Sequence, residues 1–99
     1  INISPLDSRL SMWGALLALA LMFSRDLDGA VKQAELALQR DHQNFIPSVV
    51  LAGIQLLRGE RNLALKAWNE ARRLRPNLAP EQVYPLLGEE LGASLLSLN

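Results

Sequence analysis

The chain has 99 residues, enough for one domain with a modest core. Ten basic and ten acidic side chains cancel, so net charge marks neither a nucleic-acid binder nor an acidic tail. With no cysteine, disulfides and thiolate metal sites are excluded. Leu and Ala dominate, and β-branched residues cluster only at Ile46, Val49, Val50 and Ile54, a composition that favours helix. The chain opens on Ile1 rather than Met, as expected of a segment cut from a longer protein.

The first predicted element contains an apolar run from Met12 to Phe23. Spanning a bilayer takes about 20 apolar residues, and this run is closed by Arg9 before it and Arg25-Asp26 after it. An export signal fits the length better, but only Arg9 could form its basic head and no small-x-small cleavage site follows Phe23. A buried helix is therefore expected. It starts after Asp7 or Ser8, either of which could cap free amides, and ends near Ser24.

Asp26 then caps a second helix running to about Arg40, with Asp28 near the positive end of its dipole. Asn44 caps a third, in which Pro47 is tolerated in the first turn and Gly59 closes the end. A fourth runs from about Arg61 to Arg75 and stops at Pro76. The second and fourth helices carry apolar stripes at helical spacing: Leu27, Ala30, Val31, Ala34, Ala37 and Leu38, then Ala64, Ala67, Trp68, Ala71 and Leu74. The first and third are apolar nearly all round, so each needs cover on more than one side. Beyond Pro76, Pro80 opens a short helix that Pro85 is expected to break or kink. Leu86, Leu87, Leu91, Leu95 and Leu98 then mark a final helix over residues 86–97, with Gly88 and Gly92 as its weak points.

Shifting the chain by 34 residues on itself aligns Leu17-Ala18 with Leu51-Ala52, Ala30 with Ala64, Lys32 with Lys66 and Ala37 with Ala71. The period and the small-residue pattern resemble the tetratricopeptide (TPR) repeat. The family's Leu-small pair matches Leu17-Ala18 and Leu51-Ala52, and its two second-helix alanines match Ala30 and Ala37, then Ala64 and Ala71. Its aromatic between those alanines matches Trp68, its turn glycine Gly59 and its closing proline Pro76, where the first half has Ala34, Arg25 and His42. Its opening tryptophan is replaced by Gly14 and Ser48, and its tyrosine by Leu21 and Gln55. The resemblance implies an all-α solenoid: repeat one over about 11–44, repeat two over about 45–78 and a C-terminal cap over 79–99. Two repeats are fewer than the three usually needed, so more helices or a second copy are expected alongside. The chain is also similar to TPR segments that follow DNA-binding or cyclase domains in some bacterial signalling proteins.

The family resemblance implies a concave groove lined here by Met12, Ala15, Leu19, Met22, Phe23, Ile46, Val49, Gly53, Leu56 and Leu57. That lining is apolar, and it lacks the Lys, Arg and Asn with which TPR clamps hold a peptide's terminal carboxylate. An apolar groove of this kind is expected to take a partner segment, a second copy as a homodimer, or the chain's own tail. A non-enzymatic interaction module within a larger regulatory protein follows, in the cytoplasm and with no cofactor. The alternative is a basic surface of Arg58, Arg61, Lys66, Arg72, Arg73 and Arg75 that assists a neighbouring DNA-binding domain, against which stands the ordinary solvated face of a helix end. His42 beside Asp41 is the only imidazole–carboxylate pair, and its predicted turn offers no nucleophile at a defensible spacing. One histidine and scattered carboxylates specify no metal site.

Overall fold

The computed structural model describes residues 5–98, with the side chains of 12–79 and 81–98. The regular elements among the described residues are all helices: α1 (Pro5–Phe23), α2 (Leu27–Arg40), α3 (Ile46–Leu57), α4 (Arg61–Leu74), α5 (Pro80–Leu87) and α6 (Glu89–Leu96). α1 begins before Asp7 and Ser8, so these residues lie inside the helix and not at its cap; their side chains are outside the described residues. Asp26 caps α2 as expected, its carboxylate accepting the Gly29 N–H at 3.1 Å. Phe45 is the cap residue of α3, but the preceding Asn44 supplies the side-chain bond by accepting the Ile46 N–H at 3.1 Å. At the start of α5 the Gln82 side chain accepts the Ala79 N–H at 3.1 Å.

The tail corrects two expectations. α5 runs through Pro85 without a break and stops at Gly88, whose φ of 87° is the left-handed conformation that glycine adopts at little cost. Pro85 follows several helical residues that already carry the turn, and Pro80 opens the helix where a missing N–H costs nothing. The final helix therefore begins at Glu89, with Gly88 as its cap residue and not part of its interior.

The two halves repeat in their backbone bonding as well as in their sequence. At the first turn, Arg25 N–H donates to the Met22 carbonyl at 3.1 Å and Asp26 N–H to the Leu21 carbonyl at 2.9 Å. Thirty-four residues on, Gly59 N–H donates to Leu56 at 3.1 Å and Glu60 N–H to Gln55 at 2.9 Å. The helix ends match too: Asp41 N–H reaches the Ala37 carbonyl and Arg75 N–H the Ala71 carbonyl. Both reversals need a left-handed residue to turn the orphan carbonyls of the helix end inward. Gly59 takes φ 78° freely, whereas Arg25 takes φ 67° against the clash of its Cβ.

Small side chains set how closely the helices approach. α1 packs on α2, α2 on α3, and α3 on α4, with α1 also touching α3. Ala30, Ala34 and Ala37 of α2 are wholly buried, as are Ala64 and Ala71 of α4. A Cβ added at Gly14 would stand 3.1 Å from the Ala37 Cβ, so α1 and α2 cross with almost no spare room. Ser48, which stands 34 residues after Gly14, is buried with its hydroxyl unpartnered among the described residues; its small size is what the position uses. α3 is the most enclosed helix, with α5 and α6 packed on it from the tail. Tertiary links close the ends: Arg75 lies 4.7 Å over the Phe45 ring, and Arg58 spans from the Gln55 amide at 3.0 Å to the Asp28 carboxylate at 3.6 Å.

Three substitutions test this packing and these turns. Ala30→Leu forces α2 off its neighbours and should cost roughly 1–3 kcal/mol in urea unfolding. Gly59→Ala should destabilise by about 1 kcal/mol, while Arg25→Gly at the matching turn should stabilise by a similar amount, both read as shifts in thermal midpoint.

Candidate interaction surface

The ten residues expected to line a groove divide into three groups by burial. Ala15, Leu19, Met22 and Val49 are in the core, and Gly53 is buried beneath the tail. A Cβ at Gly53 would stand 2.8 Å from Leu87 and 3.2 Å from Leu91, so side chains of α5 and α6 rest directly on the α3 backbone. At this position the chain's own tail covers α3. Ile46 and Leu56 are half-buried, and Met12, Phe23 and Leu57 are exposed.

Phe23 and Leu57 remain together at one open depression of about 630 Å³. It lies where the ends of α1 and α3 meet the α5–α6 junction, with Met22, Leu87 and Leu91 among its lining residues. Arg25, Glu89 and Glu90 also line it, so its chemistry is an apolar floor beside charges of both signs. The acidic pair is favourably placed in the first turn of α6, beside the positive end of that helix.

A second apolar feature runs along α1 and was not singled out by sequence pattern. Trp13 is 66% exposed, Leu16 49% and Leu17 36%. With exposed Met12, Ala20 and Phe23 they occupy one continuous side of the helix, at offsets of one, four, five, eight and eleven residues from Met12. α1 is apolar on every side, so no local polar contrast says which side faces in. A partial signal was residue size: Gly14, Ala15 and Ala18 are on the covered side with Leu19 and Met22, while Trp13, Leu16 and Leu17 are outside.

The remaining candidates are dispersed or occupied in local structure. The six basic residues are all exposed, and four have partners within the fold. Arg58 bonds Gln55 and pairs with Asp28, Arg75 covers Phe45, and Arg72 is engaged. Arg73 donates to Glu70 at 2.6 Å; that hydrogen bond, with the Arg73 charge, holds the Glu70 carboxyl below its ordinary range. Asp41 accepts the Gln43 N–H at 3.0 Å and so shapes the α2–α3 turn, while the adjacent His42 is exposed. No group of three His, Cys, Asp or Glu side chains that could hold a metal occurs among the described residues. Among those residues, no helix is long and apolar enough to cross a membrane.

Comparison with protein families, characterised proteins and solved structures returned no match.

The division between core and surface is measurable. Met22→Ala should cost about 2–5 kcal/mol, as expected for a large side chain removed from a closed core. Trp13→Gln should change unfolding free energy by less than about 0.5 kcal/mol, because its ring is mostly in solvent.

Proposed function

We propose that this chain is a TPR-like pair of helical hairpins with a C-terminal helical cap, acting as a non-enzymatic protein–protein interaction module within a larger regulatory protein. The observation that carries the reading is the apolar side of α1 centred on Trp13, Leu16 and Leu17. A domain this small has little apolar side-chain material to spare from its core. Leaving an indole and two leucines in water forgoes about 25 cal/mol for each Å² of apolar surface that could have been buried. Contiguous exposed patches of this type mark interaction sites. The solenoid arrangement is supported by the repetition of turn bonding and helix-end bonding at 34 residues. The chemistry of the depression at Phe23 and Leu57 suits an accessory contact and offers no assembled catalytic group.

The test replaces residue 16 with a photo-reactive benzophenone amino acid in the full chain, with position 35 on the polar side of α2 as control. Cross-linked protein adducts of discrete mass at position 16, absent at position 35, are the expected result. Absence of adducts at positions 13, 16 and 17 alike would overturn the interaction reading.

A further inference from the structure

The internal repeat identifies what kind of element fits the bare side of α1. Moved by 34 residues, Trp13, Leu16, Leu17 and Ala20 become Pro47, Val50, Leu51 and Ile54 of α3. That matching side is closed: Pro47, Val50 and Ile54 are buried and Leu51 is half-buried. α2 packs against α3, and the Arg58–Asp28 pair at 3.6 Å locates α2 on this side, since Leu51, Ile54 and Arg58 are three and seven residues apart along one line of the helix. On α2, Leu27, Val31 and Leu38 are half-buried and Ala34 wholly buried, a stripe at 4-3-4 spacing from which we take the covering pattern.

We propose that the exposed side of α1 is a docking surface for an amphipathic helix of the α2 kind: leucine or valine flanking a central alanine at 4-3-4 spacing, with a polar back. This rests on the interaction reading above and gives it a partner class. A second copy stacked head to tail does not meet the requirement. The positions of α4 that correspond to Leu27, Val31, Ala34 and Leu38 are Arg61, Leu65, Trp68 and Arg72. Docking α4 on α1 would bring two guanidinium groups against leucine and tryptophan, and burying charge beside apolar side chains is costly. The occupant is thus a separate helix bearing apolar residues where α4 bears arginines.

The probe is a side-chain-stapled helical peptide with the sequence of residues 26–41, titrated into the full chain; the staple removes most of the cost of ordering the helix. Expected is saturable binding with a blue shift of tryptophan emission that disappears in Trp13→Phe. Leu16→Glu should weaken binding at least tenfold, as should aspartate in place of the peptide's Val31 and Leu38. No binding, or binding indifferent to Leu16→Glu, would overturn the proposal. So would sedimentation showing a stable dimer that buries Trp13 without peptide, since a second copy would then be the occupant. If the peptide fails while position-16 adducts with another protein persist, the partner class falls and the interaction reading stands.

Discussion

Everything in this fold depends on how closely its helices can cross, and alanine sets that distance. Side chains at a helix crossing act as spacers, and the interaxial distance follows their size. Here the spacers are Ala30, Ala34 and Ala37 in one hairpin and Ala64, Ala67 and Ala71 in the other. Gly14 stands opposite Ala37, where an added Cβ would lie 3.1 Å from the alanine Cβ. Close crossing matters because the domain has few large core residues; Trp68 is its one buried aromatic among the described residues, and much of the remaining core is alanine, valine and leucine. With small side chains, good packing is obtained only if the backbones themselves come near.

Close crossing also explains the role of α3. Its neighbours are α1, α2, α4 and the two tail helices, so both hairpins and the tail share it as a common wall. Gly53 lets Leu87 and Leu91 settle against the α3 backbone, and the tail thereby closes a surface that would otherwise be open apolar helix. α1 is the counterpart of α3 in the first hairpin but lacks the same enclosure. The asymmetry between two equivalent helices, one covered and one bare, is what turns a repetitive fold into a surface with a direction.

The chemistry that surface supports is burial of apolar side chains. Its exposed side carries an indole, two leucines and a methionine, a set suited to shape-matched association with an apolar stripe. The basic residues are spread across helix ends, where several are committed to Gln55, Asp28, Phe45 and Glu70. Asp41 shapes a turn by accepting a backbone amide, which accounts for its burial beside an exposed His42.

Local sequence determined the helices and their interruptions. Asp26 and Gly59 signal their caps and turns by chemistry that acts within one helical turn, and the alanine stripes of α2 and α4 show their buried sides through 3.6-residue periodicity. The matching left-handed turn at Arg25 was hidden because its residue type argues against that conformation; the bonding of the helix end imposes it. Pro85 likewise reads as a break or kink, yet α5 continues through it to Leu87. Only tertiary structure decided where the tail lies and which side of α1 stays bare. A helix apolar all round carries no inward direction of its own, and the groups that cover α3 at Gly53 come from residues 87 and 91, more than thirty positions away. Such choices are made by competing contacts between distant segments, and no short window of sequence contains both competitors.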